Sequence, residues 1–166
     1  MGRGAVVGIT LKFDDDKAQA QFIGLRREIA DTTHLFNSLA EKVYEFEDDT
    51  FEREGNPKWV SLSRKYKLWK DKKYPGRKIL ELTGSLRAAA TGTTGGSMKV
   101  LPIKRQSKEA LEIGIKGAYV WAHQAGNLKR GLYRRMIYNF TRSNLAEIAG
   151  IYDYHAKTAV ERVYGV

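Results

Sequence analysis

Apolar and polar residues alternate near the start of the chain, from residue 5 to residue 13. The larger apolar members of this pattern are Val7, Ile9, Leu11 and Phe13. A period of two is typical of a strand with one buried face, so the sequence predicts a strand here. Asp16 and Gln19 then have the spacing of a capping box, which predicts that a helix begins at Asp16.

An apolar stripe with helical spacing follows the predicted strand. Its members are separated by three, four or seven positions, and they are Phe22, Leu25, Ile29, Phe36, Leu39, Val43 and Phe46. This spacing predicts amphipathic helices whose stripe faces the core. The run Asp31-Thr32-Thr33 interrupts the pattern, so we expect two helices that meet near Asp31. Gly55-Asn56-Pro57 should end the second helix.

The charge along the chain is strongly divided around this helix end. Residues 41–54 are mostly acidic, and the acids that we expect at a subunit interface are Glu45, Glu47, Asp48, Asp49 and Glu52. Residues 58–78 are mostly basic, with Asp71 as the one acid and four interleaved aromatic residues. The chain therefore carries an acidic segment followed directly by a basic one.

The basic segment also has a helical pattern. Leu62, Tyr66 and Trp69 lie at positions i, i+4 and i+7, so we expect a short helix after Ser61 or Ser63. Such a helix would bury these three side chains and turn the neighbouring lysines toward solvent.

The second half of the chain mixes strands, loops and one long helix. Residues 100–104 and 111–115 have strand patterns, residues 91–98 should form a flexible loop, and residues 127–142 are basic and variable. Asn144 and Glu147 have capping-box spacing for a last helix. The pattern predicts one α+β domain over residues 1–166, with a small, mostly antiparallel sheet and long helices packed against one face of it.

Composition narrows the class of protein. The chain has 166 residues, a net charge of +10 and no cysteine, which removes disulfides, thiolate metal sites and cysteine nucleophiles. No apolar run is long enough for a signal peptide or a membrane span, so we expect a soluble protein made in a cytoplasm-like compartment that has no membrane contact. The positive charge favours an acidic partner such as nucleic acid or an acidic protein surface.

Residues with catalytic chemistry are few and dispersed. The three histidines, His34, His123 and His155, form no metal-binding pair, and no nucleophile motif is present. His123 lies among aromatic residues, where it is either a catalytic group in an aromatic pocket or a structural histidine whose ring nitrogens bond to backbone groups. We favour the structural interpretation, and we expect no enzyme activity, no cofactor and no metal site.

Three ordered motifs resemble those of the phage virion-morphogenesis, or tail-completion, family. In that family a long helix ends in F-x-x-x-G and a W-x-x-L-S segment follows, and here the matching residues are Phe51, Gly55, Trp59, Leu62 and Ser63. The family's I-L-x-x-T-G-x-L element is matched by Ile79, Leu80, Thr83, Gly84 and Leu86. Its Y-A-x-x-H-Q-x-G element is similar to Tyr119, Ala122, His123, Gln124 and Gly126, with the spacing shifted by one.

The resemblance covers roughly residues 15–126, and the last third of the chain departs from it. The family continues with P-A-R-P-F-L, whereas residues 133–140 keep the aromatic and arginine character but contain no proline. The resemblance implies a structural virion protein of the phage neck or tail that completes the tail or joins head to tail as part of a ring. It implies self-association, with six copies as the first number to test, and contacts with other neck, tail-tube or portal-associated proteins.

A sequence-independent nucleic-acid-binding module is the alternative to a structural virion protein. In either case some cations would face DNA or a neighbouring subunit, and the candidates are Lys70, Lys72, Lys73, Arg134 and Arg135. The residues expected to have a structural role are Trp59, Leu62, Leu80, Thr83, Gly84, Leu86, His123, Gln124 and Gly126.

Overall fold

The computed structural model describes residues 15–94, 100–117 and 119–165. The described elements, in chain order, are α1 (Asp15–Ala30), α2 (Thr33–Glu52), α3 (Arg64–Lys73), α4 (Ser85–Ala90), β1 (Leu101–Gln106), β2 (Leu111–Lys116), α5 (Val120–Ala125) and α6 (Arg142–Tyr164). A single 3-10 turn, Leu128–Arg130, lies between α5 and α6. The predicted strand over residues 5–13 and most of the predicted loop over residues 91–98 lie outside the described residues.

The three long helices, α1, α2 and α6, pack together. The predicted break near Asp31 is confirmed, and the Asp31 carboxylate accepts a hydrogen bond from the backbone N–H of Thr33 (3.1 Å). Helix α6 runs antiparallel along both α1 and α2. Its C-terminal end approaches Gly24 of α1, and Phe140, just before its first turn, lies with its ring centroid 6.3 Å from that of Phe46 on α2.

The predicted apolar stripe is buried on α2 but not on α1. Phe36, Leu39 and Phe46 are buried, whereas Phe22 and Ile29 are 66% and 58% exposed. The reason is geometric, because α1 contacts α6 through the face that carries Gly24, and Phe22 and Ile29 lie on roughly the opposite side of the helix. The apolar side of α1 is therefore not covered by the described part of the chain.

The sheet is a two-stranded antiparallel hairpin. Strands β1 and β2 pair from Leu101 opposite Lys116 to Gln106 opposite Leu111, as their patterns predict. Helix α4 contacts both strands and α2 contacts β2, whereas the main contacts of α1 and α6 are with other helices. The fold is thus α+β and mostly helical, and of the long helices only α2 packs substantially on the sheet.

The core lies between α2, α4, the hairpin and the chain before α6. Its buried members are Phe51, Trp59, Ile79, Leu86, Ala89, Ala90, Val100 and Ile137. Leu62 and Leu80 are half-buried against it. Thr83 and Gly84 directly precede α4, and Gly84 has a φ of 81°, a backbone conformation that favours glycine.

The capping residues at the starts of the helices can be compared with those that the sequence predicts. Ser63 caps α3 by accepting from the N–H of Tyr66, as predicted. The predicted start at Asp16 agrees with the structure to within one residue, whereas the predicted start at Asn144 is wrong. Helix α1 begins at Asp15, one residue earlier, and α6 begins at Arg142 because Thr141 and Asn144 form the capping box instead.

Candidate functional site

A pocket of about 680 Å³ opens between α3, the segment before α4, α5 and the chain after the 3-10 turn. Its walls are mainly apolar and aromatic, and they include Leu62, Tyr66, Leu80, Leu82, Leu86, Tyr119, Leu132 and Tyr133. Its polar groups are the hydroxyls of Ser61, Ser63 and Thr83, the imidazole of His123 and the side-chain cations of Lys70 and Arg135. Volumes of roughly 300–1,000 Å³ are typical of sites that enclose a ligand, so this pocket is the main candidate site.

Two cations of the pocket are buried, contrary to their predicted exposure. Lys70 is only 2% exposed, and its Nζ donates to the carbonyl of Lys78. Arg135 donates from Nε (3.1 Å) and Nη2 (2.9 Å) to the carbonyl of Val60. Burial lowers the pKa of both groups from their usual values. The prediction that Lys70 and Arg135 face DNA or a neighbouring subunit is therefore wrong, since both side chains hydrogen-bond to backbone carbonyls of their own subunit.

Neither buried cation is neutralised by an ion pair within the described residues. The nearest partners of Lys70 and Arg135 are carbonyl oxygens, and no carboxylate forms an ion pair with either. Carbonyl groups satisfy the N–H donors but carry no net charge. Glu54, Glu81 and Asp71 nevertheless lie close enough to Lys70 to offset its charge, so Arg135 is the cation that gives the pocket a positive side.

His123 lies on α5 at the wall of this pocket. Burial, followed by the charge of Arg135, lowers the pKa of its imidazole, which favours the neutral ring. Its buried Nδ1 has no hydrogen-bond partner, so the prediction that backbone groups satisfy both ring nitrogens is wrong. Within the described residues no serine or carboxylate hydrogen-bonds to the ring, and the geometry of a catalytic triad is not formed.

Gln124 connects α5 to the chain that carries Arg135. Its Oε1 accepts from the N–H of Ile137 (2.7 Å), and its Nε2 donates to the carbonyl of Tyr138 (3.0 Å). Beside it, the N–H of Arg135 donates to the carbonyl of His123 (2.8 Å). The His-Gln pair therefore holds Arg135 at the pocket wall, which is a structural role.

Gly126→Ala should destabilise the fold by several kcal/mol. Gly126 has a φ of 75°, and an added Cβ would lie 2.8 Å from the backbone nitrogen of Arg134. With a ψ of 165° as well, this backbone conformation is essentially restricted to glycine and costs other residues about 1–3 kcal/mol, and overpacking adds about 1–3 kcal/mol. Gly131→Ala is the matched control, because Gly131 also has a positive φ but has open space around it. Equal losses in urea unfolding would contradict the close packing of Gly126.

The acidic end of α2 is mostly paired within the subunit. Arg87 forms ion pairs with Asp48 (2.7 Å), Glu52 (3.1 Å) and Glu81 (2.9 Å). Lys78, from the basic segment, also pairs with Glu52. Two further acids of the predicted interface have partners nearby, since Asp49 pairs with Arg53 and Glu45 pairs with Lys42.

Glu47 departs most from its predicted place at a subunit interface. It is 1% exposed, and its Oε2 has no hydrogen-bond partner. Burial raises the pKa of this carboxyl to about 8. The prediction of an interface role is therefore wrong for Glu47. Several other acids of α2 already pair with cations of their own subunit, so they are less available for ion pairs with a neighbouring subunit.

Large apolar side chains are exposed on several elements of the described chain, and most of them belong to two sets. The first apolar surface is the set of exposed large apolar side chains on α1 and α6, namely Phe22, Ile23, Ile29, Leu145, Tyr152, Tyr154 and Val160. The second apolar surface is the set of exposed large apolar side chains on α3, around α5 and in the segment after it, namely Tyr66, Leu68, Trp69, Tyr119, Trp121, Leu128 and Tyr133. Tyr66, Tyr119 and Tyr133 of this set also line the pocket. Sequence reasoning assigned several of these residues to the core, because periodicity identifies an apolar face but not whether that face is covered.

Known proteins give no further guide to this site. A scan against protein-family models, a search of curated proteins and a search of solved structures find no match to the chain. The described residues contain no cluster of three or more side chains that could hold a metal ion. None of the described helices has both the length and the apolar character needed to cross a bilayer.

Proposed function

We propose that this chain is a non-enzymatic structural subunit of the phage neck or tail, which forms a ring and completes the tail or joins head to tail. The observation that carries the proposal is the presence of two different exposed apolar surfaces on one subunit. The subunit would be assembled in the host cytoplasm and reside in the virion. Its partners would be further copies of itself and other neck, tail-tube or portal-associated proteins.

Two different surfaces are what a ring requires. In a head-to-tail interface one surface of a subunit contacts a different surface of the next, and the series closes when the rotation allows it. Contiguous exposed apolar patches commonly mark protein interfaces. The first and second apolar surfaces lie on different elements, so they supply the two halves of such an interface.

Apolar contacts should dominate the assembly energy. Burial of apolar surface contributes roughly 25 cal/mol per Å², whereas an exposed ion pair contributes about 0–1 kcal/mol. Several acids of α2 already pair within the subunit, as with Asp48 and Arg87. We therefore expect ring formation to depend only weakly on salt.

The residues that resemble the tail-completion motifs have structural positions, which supports a structural function. Trp59 and Leu86 belong to the core, and Gln124 and Gly126 hold the chain before α6 against α5. Their side chains fix the walls of the pocket and the second apolar surface rather than a reactive centre.

One observation favours the alternative of a sequence-independent nucleic-acid-binding module. Tyr66 and Trp69 were expected to be buried but are 42% and 44% exposed, and Lys73 lies 5.7 Å from the ring centroid of Trp69. Exposed aromatic rings beside lysines can stack on bases while the cations contact phosphates. Lys72, Lys73 and Arg134 remain exposed and are the candidate DNA contacts.

A deletion of this gene in the phage or prophage that encodes it tests the proposed function. We expect filled heads and tails that are present but unjoined, or tails of abnormal length, in electron micrographs of the lysate. Supplying the wild-type chain from a plasmid should restore joined particles and infectivity. Normal particles and an undiminished titre in the deletion strain would contradict the proposal.

A further inference from the structure

We propose that the pocket binds the N-terminal apolar segment, residues 5–13, of the neighbouring copy of the chain. This inference rests on the proposed ring and names the contact that links one subunit to the next. The pocket, the charge of the segment and the reach of the chain each support it.

The pocket suits an extended peptide with large apolar side chains. Its walls are formed by leucines and tyrosines, and its volume of about 680 Å³ accommodates several side chains. The positive charge of Arg135 forms no ion pair with a carboxylate in the described part of the chain. A ligand with apolar groups beside carboxylates would therefore match both properties of the site.

The start of the chain has this chemistry. The apolar residues of the segment alternate with small or polar ones, so an extended backbone would direct one row of side chains into a groove. Asp14, Asp15 and Asp16 follow immediately. Recognition of an extended segment commonly uses pockets for alternate side chains, and here the three carboxylates would lie near the basic side of the pocket.

The chain is too short for the segment to occupy its own pocket. Helix α6 has 23 residues, so it spans about 35 Å between its contacts with α1 and the end of α2. Because α1 runs antiparallel to α6 and Gly24 contacts Val163, the nine residues from Asp15 to Gly24 carry the chain roughly 14 Å beyond the C-terminal end of α6. Val7 is eight residues before Asp15 and can extend at most about 29 Å from it. The apolar residues of the segment can therefore fill only the pocket of another copy.

Disulfide trapping tests this contact directly, because the wild-type chain has no cysteine. Full-length Leu11→Cys is mixed with full-length Ser61→Cys, whose exposed serine lines the pocket. The control partner is Ser143→Cys, on an exposed position of α6 outside the pocket. We expect at least about tenfold more disulfide-linked heterodimer with Ser61→Cys, because docking raises the local concentration of the two thiols far above that in bulk.

Equal heterodimer yields for the two partners would overturn the inference. So would an intramolecular disulfide in a dilute Leu11→Cys, Ser61→Cys double variant, since that product requires docking within one chain. If the wild-type protein forms a ring but the yields are equal, this contact is wrong and the proposed function stands. If the wild-type protein forms no ring, the proposed function fails, and this inference fails with it.

Discussion

Trp59→Ala should lower the free energy of unfolding by about 3–5 kcal/mol, which is the usual cost of truncating a buried tryptophan. The indole is 5% exposed and packs edge-on against Phe51, with 5.3 Å between ring centroids. Its Nε1–H also donates to the carbonyl of Met136 (2.8 Å), across the core. Truncation would leave a cavity and an unpaired buried carbonyl, and both effects destabilise the fold.

Trp121→Ala is the control for this prediction. Trp121 is 75% exposed, so its truncation should change the unfolding free energy of the monomer by at most about 0.5 kcal/mol. Chemical unfolding monitored by far-ultraviolet circular dichroism measures both variants. Equal midpoints for Trp59→Ala and the wild type would show that the core does not depend on this side chain.

Protein stability should fall as the pH rises from about 4.5 to about 8, because of Glu47. Burial raises the pKa of this carboxyl from 4.5 to about 8 in the folded protein. In that pH range the folded state keeps a proton that the unfolded state has lost, so a rise in pH favours unfolding. One such group contributes a slope of up to about 1.4 kcal/mol per pH unit.

Glu47→Gln separates this effect from those of other titrating groups. The amide has nearly the same shape but does not ionise, so the variant should lose most of the slope. Tyr44 and Tyr138, which lie near Glu47, have pKa values raised above their usual range and do not titrate below pH 8. Urea unfolding at pH 5 and pH 7.5 provides the measurement. Identical slopes in the variant and the wild type would contradict a proton held on Glu47.

Local signals were sufficient for much of the fold. The stripe of Phe36, Leu39 and Phe46 predicted the buried face of α2, and Ser63 predicted the start of α3. The alternating residues of β1 and β2 predicted the hairpin. In each case the residues that determine the element lie within a few positions of one another, so a local sequence pattern is sufficient to predict it.

Long-range partners explain what sequence patterns missed. On α3 the periodicity favoured burial of Tyr66 and Trp69. In the structure Lys70 is the buried side chain of this helix, because its Nζ donates a hydrogen bond to the carbonyl of Lys78. The buried Arg135 donates its hydrogen bonds to the carbonyl of a residue 75 positions away in the chain. The pocket itself depends on four separate segments, and no local pattern specifies how these segments meet.

The oligomeric state of the purified wild-type protein tests the central claim most directly. Native mass spectrometry, at low and at moderate salt and without DNA, measures the number of copies. We expect one closed symmetric oligomer that persists as salt rises, because apolar surfaces rather than ion pairs hold it together. A monomer that gains mass only when DNA is added would contradict the ring and favour the nucleic-acid-binding module.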